Sequence, residues 1–459
     1  MTGSQTNLAW DTLIELDGAG PLYGRLEKAL RRAIRAGRIP TGSALPPSRL
    51  LATELGCSRW AVTQAYAQLA AEGYLAARTG SATRVRWTGD SAPDVPRPAA
   101  AAATPRYDLV PGLPDLRAFP RRRWLDAVGR AVSTTAHADL GYPPPRGVPA
   151  LREVLVEYLQ RCRGASATEL LVCAGVSDGV LRVCRALAGR GARRIAVEDP
   201  GWPRLRDAAT TAGLEVIAVP VDESGLDTAQ LGPGIDAVIV TPAHHFPTGV
   251  VLAPERRMAL VEWARRTGGL IIEDDYDAEF RYDRRPIGAL QGMEPGHTVL
   301  CGSVSKTLSP AVGIGWMLAP ASWAAELEPQ QPGGPAVLDQ LTYAEFVRSG
   351  EYDRHLRAVR RRYRSRRDAL VAALATALPD YRVTGTAAGL HVLVRLPAGS
   401  DPATVVAAAA ARGLAVADLA RYRIRPSADS GLVLGYGNLA DRSLPAAVAA
   451  LVDAARATS

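Results

Sequence analysis

The sequence predicts an α/β chain in two parts, a small, mostly helical module ahead of a large body built on a mostly parallel sheet. Three observations predict it. The stretch "DSAPDVPRPAAAAATPR", Asp90 to Arg106, is rich in proline and alanine without apolar periodicity, and reads as an extended linker. Before it, apolar residues recur at helical spacing and finish in one alternating run. After it, β-rich runs from "LLVCAGV" to "VGIGWMLAP" alternate with helical stretches, as a sheet covered on both faces requires. The predicted boundaries are 19–87 for the module, 88–106 for the linker and 107–459 for the body.

Composition narrows the function classes. A chain of 459 residues is ample for a large buried core. It has no run of about 18 apolar residues that would cross a membrane. Its start, "MTGSQTNLAWDTLIELDG", lacks the charged-then-apolar pattern of a signal peptide, so the expected location is the cytoplasm. Five cysteines (Cys57, Cys162, Cys173, Cys184, Cys301) form no C-x-x-C pair, which argues against a disulfide frame or a zinc site; no metal is expected. A net charge of +8 permits an anionic partner without demanding one.

In the module, "PLYGRLEKALRRAIRAGRI" places Leu22, Leu26, Leu30, Ala33 and Ile34 on one helical face, ended by Gly37. "PPSRLLATELG" opens a short helix with a proline and a Ser48 cap and closes on Gly56. A tight "GCS" turn leads into a further helix, "RWAVTQAYAQLAAEGYL", and "YLAARTGSATRVRW" alternates like a two-stranded hairpin. This order is the layout of a winged helix-turn-helix. From Pro21 to Trp87 the chain resembles the DNA-binding domain of the GntR family, through "PLYGRLEKALRRAI", "SALPPSRLLATELGCSRWAVTQAY" and "LAAEGYLAARTGSAT". The second helix of such a pair enters the major groove with its N-terminal residues toward base edges. Arg59 there offers a fork to guanine, while Ser58 and Thr63 can meet phosphate or bases. The resemblance adds Arg49 and the wing tip, Gly80 and Thr83, although Ala82 stands where the family has its second wing glycine. The arginine-dense "RHLRAVRRRYRSRRD" is instead the solvated face of a long helix, because Leu356, Val359 and Tyr363 keep an apolar seam.

In the body, three strand ends collect polar groups, where open α/β sheets bind ligands. "IIEDDYD" delivers Asp274 and Tyr276, "TVLCGSVSK" delivers Lys306, and "VCAGVSDGVLRVC" is a strand, a glycine turn and a helix start suited to phosphate. An imine-forming lysine, a carboxylate and a phosphate cradle are what pyridoxal phosphate needs; the carboxylate keeps the pyridine nitrogen protonated so that the ring can accept electrons. Lysine occurs only at Lys28 and Lys306, in a chain with 54 lysines and arginines together. Guanidinium does not deprotonate in proteins and so cannot replace an amine nucleophile. Lys306 therefore has a chemical reason to resist arginine.

From about Tyr107 onward the chain resembles fold-type I, class I/II aminotransferases, through "LGYPPPRGVPALREVLVEYL", "VEDPGWPRLR", "VTPAHHFPTG", "IIEDDYDAEFRY" and "GSVSKTLSPAVGIGWMLAP". As a whole it resembles the MocR/GabR/PdxR regulators, which join a GntR domain to such a body. That resemblance implies a fold-type I domain with a smaller C-terminal α+β subdomain, pyridoxal 5'-phosphate as cofactor and a homodimer. It makes Lys306 the Schiff-base lysine, pairs Asp274 with the pyridine nitrogen and puts Tyr276 on the ring oxygen. Val176, Ser177 and Ser303 form the phosphate cup, and Tyr142 reaches a neighbouring subunit's phosphate. Trp202 is either a ring-stacking aromatic or an ordinary core tryptophan. Arg204 is the carboxylate-binding arginine, with Arg421 a weaker second candidate. His245 either approaches the ring oxygen or is a satisfied structural histidine.

One departure weakens the cofactor's grip. The family's phosphate-binding arginine is here Gly313, and losing a charge-assisted hydrogen bond costs roughly 1.5–3 kcal/mol, about 10- to 100-fold in affinity. The expected function is a transcriptional regulator that binds a double-stranded DNA operator and senses an amine, an amino acid or pyridoxal phosphate. The alternative is a working aminotransferase with an appended DNA-binding segment, and Gly313 keeps a cofactor-free sensor open as well.

Overall fold

A computed structural model describes residues 14, 16–17, 19–76, 82–88, 105–166, 169–282, 287–328 and 334–457. The chain divides into two compact units, Met1–Ala103 and Thr104–Ser459. Most of the expected linker, and Gly80 of the expected wing tip, lie outside the described residues.

Among its described residues the first unit holds three helices and a hairpin: α1 (Leu22–Arg35), α2 (Ser48–Glu54), α3 (Arg59–Ala71), β1 (Leu75–Ala76) and β2 (Arg84–Val85). α1 buries Leu26, Ala29, Leu30, Ala33 and Ile34, and α3 buries Ala61, Val62, Ala65, Tyr66 and Leu69. These stripes meet Leu51, Leu75 and Val85 in one core. β1 and β2 are antiparallel, Leu75 opposite Val85, and an isolated bridge between Ala44 and Arg84 extends the pairing. Ser48 is the first residue of α2 rather than its cap; Pro47 holds the cap position, with no side-chain bond to the helix. Proline at the entry pre-sets the backbone angle, so a capping side chain is dispensable there.

The second unit is organised on an eight-stranded sheet. Its strands are β4 (Glu169–Cys173), β5 (Arg194–Asp199), β6 (Glu215–Asp222), β7 (Gly225–Leu226), β8 (Ala237–Val240), β9 (Leu270–Asp275), β10 (Thr298–Ser303) and β11 (Gly315–Ala319), in the order β4-β11-β10-β9-β8-β5-β6-β7. From β10 through β6 all neighbours are parallel; β11 runs against both β10 and β4, and β7 against β6. Successive strand residues serve opposite faces. Ile195, Val197, Ile239 and Ile272 pack with Val180, Val183 and Leu187 of α6 (Val176–Gly189), and with α7 (Pro203–Thr211). Ala196, Val238 and Ile271 face Leu260, Val261 and Trp263 of α8 (Pro254–Thr267). The expected mostly parallel, doubly covered sheet is what forms.

A smaller layer completes the unit: an antiparallel sheet β12-β13-β16-β15 (Arg382–Thr384, His391–Arg395, Gly431–Gly435, Ala417–Asp418), covered by long and short helices. The arginine-rich stretch lies in the 27-residue helix Glu351–Ala377, which buries Val359, Tyr363, Leu370 and Leu374. Its one deeply buried arginine of that run, Arg366, bonds Asp115 at 2.6 Å and also meets Asp441. Tyr107–Asp108 (β3) pairs with Leu414–Ala415 (β14), so the start of the unit is tied to this layer.

Candidate functional site

The C-terminal ends of β4, β5, β9 and β10 open onto one cavity of about 670 Å³, the crevice expected of such a sheet. β9 and β10 run in register, Asp274 beside Cys301, so Asp274 and the turn after Ser303 reach the same edge. Strand alternation then divides two adjacent acids. Asp274 lines the cavity, whereas Asp275 is gripped from the other side by Arg163 at 2.7 and 2.8 Å, with both side chains buried.

Lys306 lines the cavity and its Nζ donates to the Gly112 carbonyl at 2.5 Å. Burial pulls its pKa below the ordinary lysine value, opposed by the charges of Asp274 and Asp277. Burial, followed by Asp275, Asp277 and Glu198, pushes the Asp274 carboxyl well above the usual range, while Lys306 pulls it down. Oδ1 of Asp274 is buried without a hydrogen-bond partner. A carboxylate in that state needs a cationic N–H beside it.

Tyr276 also lines the cavity, with its hydroxyl 3.1 Å from His244 Nδ1; that nitrogen lies 2.8 Å from Asp277 Oδ2. Gly389 (φ +69°) closes over this group, and a Cβ there would overlap the His244 ring. Trp202 forms part of the wall, edge-on to Phe246 at 5.3 Å. Arg204 lines the mouth and makes no side-chain hydrogen bond or ion pair among the described residues, which leaves its fork free for a carboxylate.

The opposite end of the cavity is formed by α6, whose first N–H groups are free to meet an anion. Val176, Ser177 and Ser303 all line it, and Ser305 joins them, 2.7 Å from Ser303 Oγ. Gly313 lines it too, at φ +63°, with open space where a side chain would start. The guanidinium that the resemblance would put there is absent from this chain.

Three expected residues lie elsewhere. His245 is buried away from the cavity: Nδ1 meets Thr248 Oγ1 at 2.7 Å and Nε2 is 3.4 Å from Glu198 Oε2. In "HHFPTG" successive side chains diverge, so His244 approaches Tyr276 and Phe246 lines the cavity, while His245 lies beside Glu198 of β5, outside the lining. Burial holds its pKa down to about 3 and raises Glu198 to about 8. Arg421 is exposed and outside the lining, because its short 3-10 turn turns Leu419 and Tyr422 inward. Tyr142 is 87% exposed and does not reach this chain's cavity.

Four lining groups had no clear signal in the sequence: the Gly112 carbonyl, Asp178, Phe246 and His391. Asp178 accepts from Ala174 N at 2.9 Å and pairs with Arg182 at 2.7 Å. The D-x-x-x-R spacing in the first turn of α6 was the available hint.

In the first unit Arg49, Ser58, Arg59 and Thr63 are all exposed, and Thr83 is half-buried. Ser58 Oγ caps α3 by accepting from Ala61 N at 3.2 Å, and Thr63 donates to the Arg59 carbonyl at 2.9 Å. Arg59 Nε lies 3.4 Å from Ser48 Oγ.

Comparison with known proteins agrees with this picture. The family model for aminotransferase class I and II matches residues 115–427, and that for bacterial regulatory proteins of the gntR family matches 22–85. The chain is 33% identical to the HTH-type pyridoxine biosynthesis transcriptional regulator PdxR of Corynebacterium glutamicum, over 94% of this chain and 95% of that protein. It is 29% identical to the probable rhizopine catabolism regulatory protein MocR of Rhizobium meliloti, over 94% and 93%. Among solved structures, the multiple substrate aminotransferase of Thermococcus profundus superposes with a TM-score of 0.71 at 23% identity, over 78% of this chain and 93% of that one.

Proposed function

Since the chain belongs to the aminotransferase class I and II family, and to those HTH-type transcriptional regulators that set such a domain behind a gntR DNA-binding domain, we propose that it is a pyridoxal-phosphate-dependent regulator whose second unit senses a small amine, an amino acid or the cofactor itself. One observation carries the reading: a half-buried lysine of lowered pKa and a buried, unpartnered carboxylate oxygen face one cavity closed by a helix N-terminus.

These residues fit pyridoxal phosphate. When bound, the group supplies an aldehyde for covalent attachment and a ring that accepts electrons. Lys306 is the attachment point, its lowered pKa freeing the amine lone pair. Asp274 holds a proton on the ring nitrogen, Tyr276 meets the ring oxygen and Trp202 covers one face. Val176, Ser177 and Ser303 hold the phosphate, and Arg204 orients an incoming carboxylate. The active form is a homodimer in the cytoplasm, with Tyr142 reaching the partner's site. In the first unit, Arg49, Ser58, Arg59 and Thr63 contact operator DNA, together with Thr83 and, outside the described residues, Gly80.

The test is spectroscopic. Pyridoxal phosphate added to the purified protein is expected to give a protein-bound absorbance band, and borohydride reduction should fix the label on Lys306. Lys306→Ala should abolish both; a band that survives the substitution would sink the assignment. The aminotransferase alternative draws support from the completeness of the Lys306, Asp274 and Tyr276 set. Turnover of an amino acid with 2-oxoglutarate at ordinary enzymatic rates, without ligand-dependent DNA binding, would establish it instead.

A further inference from the structure

The outer face of α3 carries more than the residues named so far. At about 100° per residue, its buried positions Ala61, Val62, Ala65, Tyr66 and Leu69 centre on one side. Directly opposite stand Trp60 and Ala67, flanked by Thr63 and Gln64; Arg59 lies toward the edge. Trp60 is 62% exposed, the most exposed large apolar side chain among the described residues of the first unit. Its ring meets Tyr23 of α1 edge-on, at 5.7 Å and 80°, which fixes its direction without covering it. A tryptophan ring held in one direction offers a large, oriented apolar face for contact.

The polar neighbours differ in what they have left to offer. Thr63 donates its hydroxyl proton to the Arg59 carbonyl, which leaves its oxygen as an acceptor, and Gln68 donates to Glu72 at 2.8 Å. Gln64 is exposed and makes no hydrogen bond among the described residues. Arg59 is the one charged residue of α3, so the face beyond it is neutral. A neutral strip with one free amide and one apolar ring matches the floor of a major groove. Gln pairs with adenine N6 and N7, and apolar side chains meet the thymine methyl. Four residues of helix advance about 6 Å, close to two base-pair steps of about 3.4 Å each.

We propose that Trp60 and Gln64 are the base-reading pair of α3, Trp60 packing on a thymine methyl and Gln64 engaging an adenine one or two base pairs away. This rests on the reading that the first unit binds DNA. An apolar protein surface is the competing occupant of Trp60.

The experiment uses the full chain and a duplex selected from a randomised pool. Each thymine of the selected site is replaced singly by uracil, which removes only the methyl, and each adenine by 7-deazaadenine, which removes only N7. One uracil is expected to weaken binding about 4-fold, and one 7-deazaadenine about 10-fold. Trp60→Ala should be indifferent to that uracil and Gln64→Ala to that 7-deazaadenine. If the wild-type chain selects a sequence but tolerates every uracil and 7-deazaadenine, the pair does not read bases, and the DNA reading stands without it. The pair is equally excluded if both variants lose as much as the wild type at those positions. If the wild-type chain prefers no sequence at all, the DNA reading itself falls, and the proposal with it. The base-analogue arm needs no variant, so a folding defect cannot mask the answer.

Discussion

Gly313 shows how much one residue can decide. Restoring a guanidinium with Gly313→Arg adds a phosphate contact of roughly 1.5–3 kcal/mol. The position is left-handed, φ +63°, which costs an ordinary residue about 1–2 kcal/mol. That strain is carried with and without the cofactor and lowers stability, so the variant is expected to bind pyridoxal phosphate about 10- to 100-fold tighter, by equilibrium dialysis. Lys306 makes a pH prediction. Its pKa is depressed, so the neutral amine is present at lower pH than in free lysine. Capture of the aldehyde by cofactor-free protein should quicken as pH rises and level off below the ordinary lysine value of 10.5; a plateau only above it would contradict the burial argument. Lys306 and Asp274 were legible because their chemistry admits no substitute and a buried strand announces where they end. His391 and the Gly112 carbonyl were not, because they arrive from segments distant along the chain and belong to the cavity only once the sheets have formed.

At the scale of elements, β9 is anchored by the buried Arg163–Asp275 pair. Arg163→Met leaves Asp275 buried and unpaired, and should destabilise the unit by about 3–5 kcal/mol in urea unfolding. β5 carries the opposite case. Glu198 keeps its proton in the folded state up to about pH 8, against an ordinary value of 4.5. The folded state then binds more protons between those values, so stability falls as pH rises through that window. Glu198→Gln cannot titrate, and its melting temperature should be flatter across the same range. His245 acts in the other direction: held near 3, it takes its proton more readily unfolded, and stability falls as pH drops below 6.5. The mostly parallel, doubly covered sheet and the helix faces followed from apolar period. The side of the "HHFPTG" turn on which His245 falls did not, since neighbouring residues of a turn diverge without a repeating pattern to read.

On the whole molecule, a run of large apolar side chains stands exposed among the described residues of the second unit. Leu125 and Val132, seven residues apart on the helix Arg121–Thr134, are exposed, as are Leu140 and Tyr142 just beyond it. Such a patch fits the proposed homodimer. Leu125→Asp is expected to shift the protein toward monomer in sedimentation analysis, whereas a wild-type monomer at micromolar concentration would contradict the dimer. Two units were legible because linker composition differs so sharply from either neighbour; how a partner completes the site is not written in local pattern, so the role of Tyr142 rests on resemblance alone. The bond from Lys306 to the Gly112 carbonyl has a consequence for the molecule's wiring. Gly112 sits between Leu109, whose carbonyl accepts from Gly435 N, and Asp115, which holds Arg366. This stretch is the first part of the second unit that the chain enters after leaving the DNA-binding one. Whatever draws the Lys306 amine onto a ligand also releases the Gly112 carbonyl, in the turn that follows β3.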